Sequence, residues 1–140
     1  TIRYIMAIDK FYELSDKEEL MKMISENKNS VSNIFNEFAD DFCKDPDIIW
    51  AIQKHSPMAH AIQRCKGKIK KDREFNLQCV KDYDLNLHFV DKKFKTDSEF
   101  VRTALFEKGN KKRENFDRSL ELIDPKFKET KEFKDILKNK

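Results

Sequence analysis

Glycine is nearly missing from this chain of 140 residues, which carries only Gly67 and Gly109, alongside three prolines. Two isolated glycines exclude a phosphate-cradling glycine loop, which needs several close together. Three cysteines, Cys43, Cys65 and Cys79, cannot all pair within the chain. No Cys-x-x-Cys or His-x-x-x-His spacing occurs, so the common zinc frameworks are excluded and no metal or cofactor is expected. Unpaired thiols beside apolar runs fit a reducing compartment, so the expected location is cytoplasmic, or a host cell's cytosol after secretion. No run of 18 apolar residues exists, so no transmembrane segment is expected. Charge of one sign is lacking as well. The formal net charge is +3, with the positive excess confined to residues 71–140, well short of a nucleic-acid footprint.

What the chain has is phenylalanine, charge and repetition. Apolar and charged residues each make up 39%, which fits thin layered packing better than one thick interior. The stretch "VDKKFKTDSEFV" at 90–101 is rewritten as "FADDFCKDPDII" at 38–49, "CKGKIKKDREFN" at 65–76 and "IDPKFKETKEFK" at 123–134. A looser copy, "IDKFYELSDKEE", stands at 8–19. The first position is apolar in each: Ile8, Phe38, Cys65, Val90 and Ile123. So is the fifth: Tyr12, Phe42, Ile69, Phe94 and Phe127. Three residues before each copy, Ile5, Phe35, Ile62, Leu87 and Leu120 are apolar too. A fixed frame with variable connectors marks stacked units that need neighbours to bury their apolar faces.

The eighth position is Ser15, Asp45, Asp72, Asp97 or Thr130, all helix N-cap types. Acidic residues two further on, Asp47, Glu74 and Glu99, meet the positive end of the helix dipole. A helix therefore starts here in every unit, with Pro46 tolerated at its first position. Its buried stripe follows helical spacing: Phe100, Val101, Ala104, Leu105 in one copy and Phe133, Ile136, Leu137 in another. Gly67 and Pro125, both at the third position, stop a preceding second helix near the first or second position. Ser56-Pro57 and Asp84 are the expected starts of two such helices, and Gly109 the end of the helix beginning at Ser98. The fold expected is all-α: a stack of short helix pairs, about nine helices, forming one helical-repeat domain over residues 1–140. It opens on a second helix (2–12) and closes on a first (131–140), as a piece of a longer array would.

"FVDKKFKTDSEFVRTAL" and "CKDPDIIWAI" resemble the tandem helical repeats catalogued as domain of unknown function 4116, best over residues 38–105. The resemblance implies a helical repeat of the kind found in proteins of protists and of bacteria living inside eukaryotic cells, effectors included. It brings no catalytic residues.

The residues themselves offer no reaction. Recurring carboxylates are explained as caps, whereas an active site needs a unique constellation, so no enzyme is expected. Cys65 stands where sister copies place Val90 or Ile123, which reads as packing. The sole tryptophan, Trp50, aligns with Leu77, Arg102 and Asp135, so the repeat does not require an apolar residue there. It either wedges between helices or forms a ridge with Leu77, rimmed by Lys68, Lys71 and Arg73. Acidic Asp40 and Asp41 mark the second copy's turn edge, and Lys92, Lys93 and Lys95 the fourth's. The longest connector, "EKGNKKREN", puts Lys108, Lys111, Lys112 and Arg113 in one loop. Three functions follow. The first is protein binding centred on Trp50, as in an effector or an inhibitor of another protein. The second is anion binding, to RNA or a phosphoinositide membrane, by the basic edge and loop. The third is a structural segment of a larger protein.

Overall fold

The computed structural model describes residues 17–26, 40–57 and 60–138. The helix expected over 2–12, and the positions Ile5, Ile8, Tyr12, Ser15, Phe35 and Phe38, lie outside them. The chain divides into two compact units, Thr1–Ile69 and Lys70–Lys140. Among the described residues there are nine α-helices, three 3-10 turns and no strand, so the fold class is all-α.

In the first unit α1 (Lys17–Glu26) packs on α3 (Pro46–His55), with α2 (Asp40–Lys44) before it and α4 (Ala61–Arg64) after it. Leu20 and Ile24, one turn apart on α1, are buried, as are Ile48, Ile49 and Ile52 on α3. Such i, i+3, i+4 spacing is what lets two short helices share one apolar seam. The helix expected at Ser56-Pro57 starts later. Ser56 instead caps the C-terminus of α3, its N–H donating to the Ile52 carbonyl. His60, in the left-handed region at φ 56°, precedes α4. Gly67, at φ 78°, turns the chain after Cys65, and the Lys66 amide donates to the Cys43 carbonyl at 2.8 Å.

The second unit holds α5 (Arg73–Asp82), α6 (Ser98–Leu105), α7 (Phe116–Leu122), α8 (Pro125–Lys128) and α9 (Lys131–Leu137). The 3-10 turns Asp84–His88 and Lys92–Phe94 join α5 to α6. Asp84–His88 packs against α5, α6 and α7 and is the hub of the unit. Phe75, Leu87, Phe100, Val101, Leu105, Ile123 and Ile136 are buried in its interior. Phe94 stacks on Phe100 with ring centroids 4.5 Å apart and planes 7° from parallel.

The local succession expected from the sequence is present around Ile69, Phe94 and Phe127. Cys65 and Ile123 are the C-caps of α4 and α7, and Val90 follows Phe89, the C-cap of Asp84–His88. Ile69, Phe94 and Phe127 are buried, each on a short helical turn. Phe42 departs from this: it is half-buried and lies within α2. Leu137 departs too, at 42% exposed on the last turn of α9, where Phe133 and Ile136 supply the buried face. Gly109 is not a helix end. Helix α6 stops at Leu105, and Gly109 and Asn110, at φ 84° and 63°, form the tip of a tight hairpin. The Glu107 amide donates to the Lys111 carbonyl at 2.7 Å, and Phe106 and Lys112 pair across it.

Candidate functional site

The caps organise the polar chemistry. The Asp45 carboxylate accepts from the Asp47 and Ile48 amides, that of Asp72 from the Phe75 amide, and that of Asp97 from the Glu99 amide. Thr130 accepts from the Phe133 amide at 3.2 Å. Each acceptor satisfies donors that the first helical turn leaves without intrahelical partners. Two of these carboxylates, Asp45 and Asp97, are also gripped from outside. Lys17 Nζ lies 3.1 Å from Asp45 and 2.6 Å from Asp47. Its hydrogen bonds, to Asp47 first and then Asp45, hold the ammonium's pKa above its ordinary value. Arg73 reaches Asp97 with two nitrogens, at 2.6 and 3.1 Å, and Glu99 at 2.8 Å. Its guanidinium also lies 5.2 Å from the Phe100 ring centroid and 6.0 Å from that of Phe94. Bidentate pairing plus stacking is a geometry arginine fills and lysine cannot. Ser98 donates to Glu132 in the same way, one copy further on. Lys17 and Arg73 thus hold the cap of the following copy, and Ser98 holds a first-turn carboxylate beside the Thr130 cap.

The expected protein-binding residues are shared between the two units. Trp50 and Lys68 belong to the first unit, and Lys71, Arg73 and Leu77 to the second. Leu77 is only 8% exposed and packs inward, so it supplies no ridge. Arg73 is engaged by two carboxylates. Lys68 and Lys71 are exposed on either side of the buried Ile69. Trp50 is half-buried. It lies on α3 with Asp47 and Lys54 at i−3 and i+4, and both of these are exposed. Because Ile48, Ile49, Ala51, Ile52 and Gln53 are all buried, this is the outward stripe of the helix.

The basic loop also resolves into separate roles. Arg113 donates to the carbonyls of Val80 at 2.7 Å, Thr103 at 2.9 Å and Lys81 at 3.0 Å. It ties together the C-terminal turns of α5 and α6, where unpaired carbonyls and the dipole favour a cation. Lys112 sits 4.6 Å from the Phe116 ring centroid, while Lys108 and Lys111 are exposed at the hairpin.

Two buried polar residues, Asp84 and Asn76, have structural roles that their place in the sequence does not announce. Buried Asp84 accepts from the Asn115 amide at 3.0 Å and from its Nδ2 at 2.9 Å. Asn76 Nδ2 donates to the Lys70 and Asp72 carbonyls, and its Oδ1 accepts from the Asp91 amide at 3.3 Å. The signal available for Asn76 was an amide side chain beside the apolar stripe of a helix, where a buried polar group must find partners. Among the described residues no three His, Cys, Asp or Glu side chains gather as a metal site requires. No described helix is long and apolar enough to cross a membrane.

No curated protein and no solved structure matches the chain. The family model described as domain of unknown function (DUF4116) matches residues 72–128. The match lies wholly in the second unit, includes "FVDKKFKTDSEFVRTAL" and runs through the hairpin, while "CKDPDIIWAI" falls outside it. Over residues 72–128, then, this chain is similar to the DUF4116 family.

Proposed function

We propose that the chain is a non-enzymatic protein-binding module whose first unit anchors the partner on Trp50. One observation carries the reading. The single tryptophan stays half-buried in the middle of the outward stripe of α3, on a helix otherwise spent on its own core. Flanking it are Lys54 and the Asp47 carboxylate held by Lys17. An aromatic anchor inside a charged rim is how a small interface concentrates its binding energy. Lys68 is exposed in the same unit, whereas Arg73 is engaged by Asp97 and Glu99 and Leu77 is buried in the other. Such a module suits the binding part of a bacterial effector or an inhibitor of another protein, acting in its own cell's cytosol or a host's.

The rival reading, an anionic ligand such as RNA or a phosphoinositide membrane, draws on Lys108 and Lys111, exposed at the hairpin. Capture from parent-cell or host lysate on the immobilised chain, repeated with Trp50→Ala at rising salt, separates the two. A partner lost with Trp50→Ala and retained at high salt supports the anchor. A partner indifferent to Trp50→Ala that washes off steeply with salt assigns binding to the basic hairpin, since counterion release makes phosphate contacts salt-sensitive.

A further inference from the structure

The polar ladder of the second unit is open at both ends. Helix α6 packs on α5, and α9 packs on α6. Along this succession the residue after one cap reaches a carboxylate of the next helix start. Arg73, after the Asp72 cap, holds Asp97 and Glu99, and Ser98, after the Asp97 cap, donates to Glu132. Lys131, after the Thr130 cap, is exposed and makes no ion pair among the described residues. At the opposite end Asp72 and Glu74 are exposed, and no cation among the described residues holds them. They have the spacing of Asp97 and Glu99, which Arg73 grips, and of Asp45 and Asp47, which Lys17 grips. An apolar contact is open beside Lys131 as well. Cys79 on α5 and Ala104 on α6, each six residues after Arg73 or Ser98, are fully buried, whereas Leu137, six residues after Lys131, is 42% exposed.

We propose that the chain associates head to tail with a second copy of itself, α9 of one copy receiving the Asp72–Glu74 helix start of the other. Charge complementarity selects this occupant. Two α9 helices paired with each other would set Lys131, Lys134 and Lys138, all exposed, against their own copies, and facing like charges are costly. Head to tail, one ammonium meets two carboxylates two residues apart. Lys17 already makes that arrangement with Asp45 and Asp47, at 3.1 and 2.6 Å. The contact also continues an interface the unit has built twice, α6 on α5 and α9 on α6. Because two different patches meet, the interface is heterologous and each pair keeps one free end of either kind. One apolar side chain and exposed charges make such an association weak and sensitive to salt.

Sedimentation equilibrium of the full chain at rising concentration tests the proposal, with the helical spectrum of each variant recorded. The weight-average mass should rise above that of one chain at low salt and fall back as salt is added. Lys131→Glu and Glu74→Lys replace exposed residues that are not caps, and each should hold the chain at the monomer mass. Mixed in equal amounts, the two variants should associate again, because each supplies the charge that the other's altered end now requires. Trp50→Ala, in the first unit, should associate as the wild type does. A wild-type chain that stays monomeric at every concentration would overturn the proposal. So would a mixture no heavier than either variant alone, or loss of association in Trp50→Ala. Stronger association of Lys131→Glu would also overturn it, by showing α9 paired with α9.

Discussion

Asp97 does two things at once: it caps α6 and it receives Arg73. The hydrogen bond from Arg73 holds its carboxyl below the ordinary carboxylate range, while partial burial pulls the other way. A depressed folded pKa stabilises the fold above the unfolded value of about 3.9. That contribution is lost as pH falls through the folded pKa. Arg73→Gln should therefore raise the Asp97 titration midpoint, read from its carboxyl carbon resonance. An unmoved midpoint would mean the pair does not persist in solution. Phe94, buried and stacked on Phe100, is the other decisive residue. Phe94→Ala should cost about 3–5 kcal/mol in denaturant unfolding, and a loss below about 1 kcal/mol would show that the anchor carries nothing. Both residues were legible in the sequence because their partners are local or recur at fixed positions. Arg113 was not legible as a structural tie. It read as one cation among four, since its partners are backbone carbonyls on two earlier helices and carbonyls leave no trace in residue identity.

At the level of the element, starts were more legible than stops. Asp and Thr at helix beginnings accept from amides two or three residues on, so the chemistry is local and Asp45, Asp72, Asp97 and Thr130 each cap as expected. Ends depend on what the chain meets next. The helix expected from Asp84 is a 3-10 turn, and its Asn86 donates back to the Cys79 carbonyl at 3.0 Å. Two substitutions check this level. Thr130→Ala removes the acceptor for the Phe133 amide and should cost about 1 kcal/mol, with the fraying confined to α9 in hydrogen exchange. Gly67→Ala tests the turn after Cys65. A Cβ there would meet the Lys44 Cγ at 3.5 Å, an ordinary contact, so the cost comes from the left-handed backbone alone, about 1–2 kcal/mol. A neutral Gly67→Ala would mean that this turn is not held at φ 78° in solution.

For the whole molecule, helix starts capped by a side-chain oxygen occur in both units, at Asp45 in the first and at Asp72, Asp97 and Thr130 in the second, although the family match covers only residues 72–128. The three thiols report on both: Cys43 and Cys65 are buried in the first unit and Cys79 in the second. None should react with a thiol reagent under native conditions, and all three should react in denaturant; fast native labelling would contradict the packing assigned to them. The functional surface was less legible than the fold. A residue the repeat leaves free can be found by alignment, but whether it faces outward is decided by packing, which kept Trp50 half-buried and took Leu77 inside. The most direct test of the account is calorimetric titration of the captured partner into the wild-type chain and into Trp50→Ala, with the helical spectrum of both recorded. The account predicts an unchanged spectrum and binding weaker by about 2 kcal/mol, roughly thirtyfold. Equal affinities would contradict it, as would a Trp50→Ala chain that no longer folds.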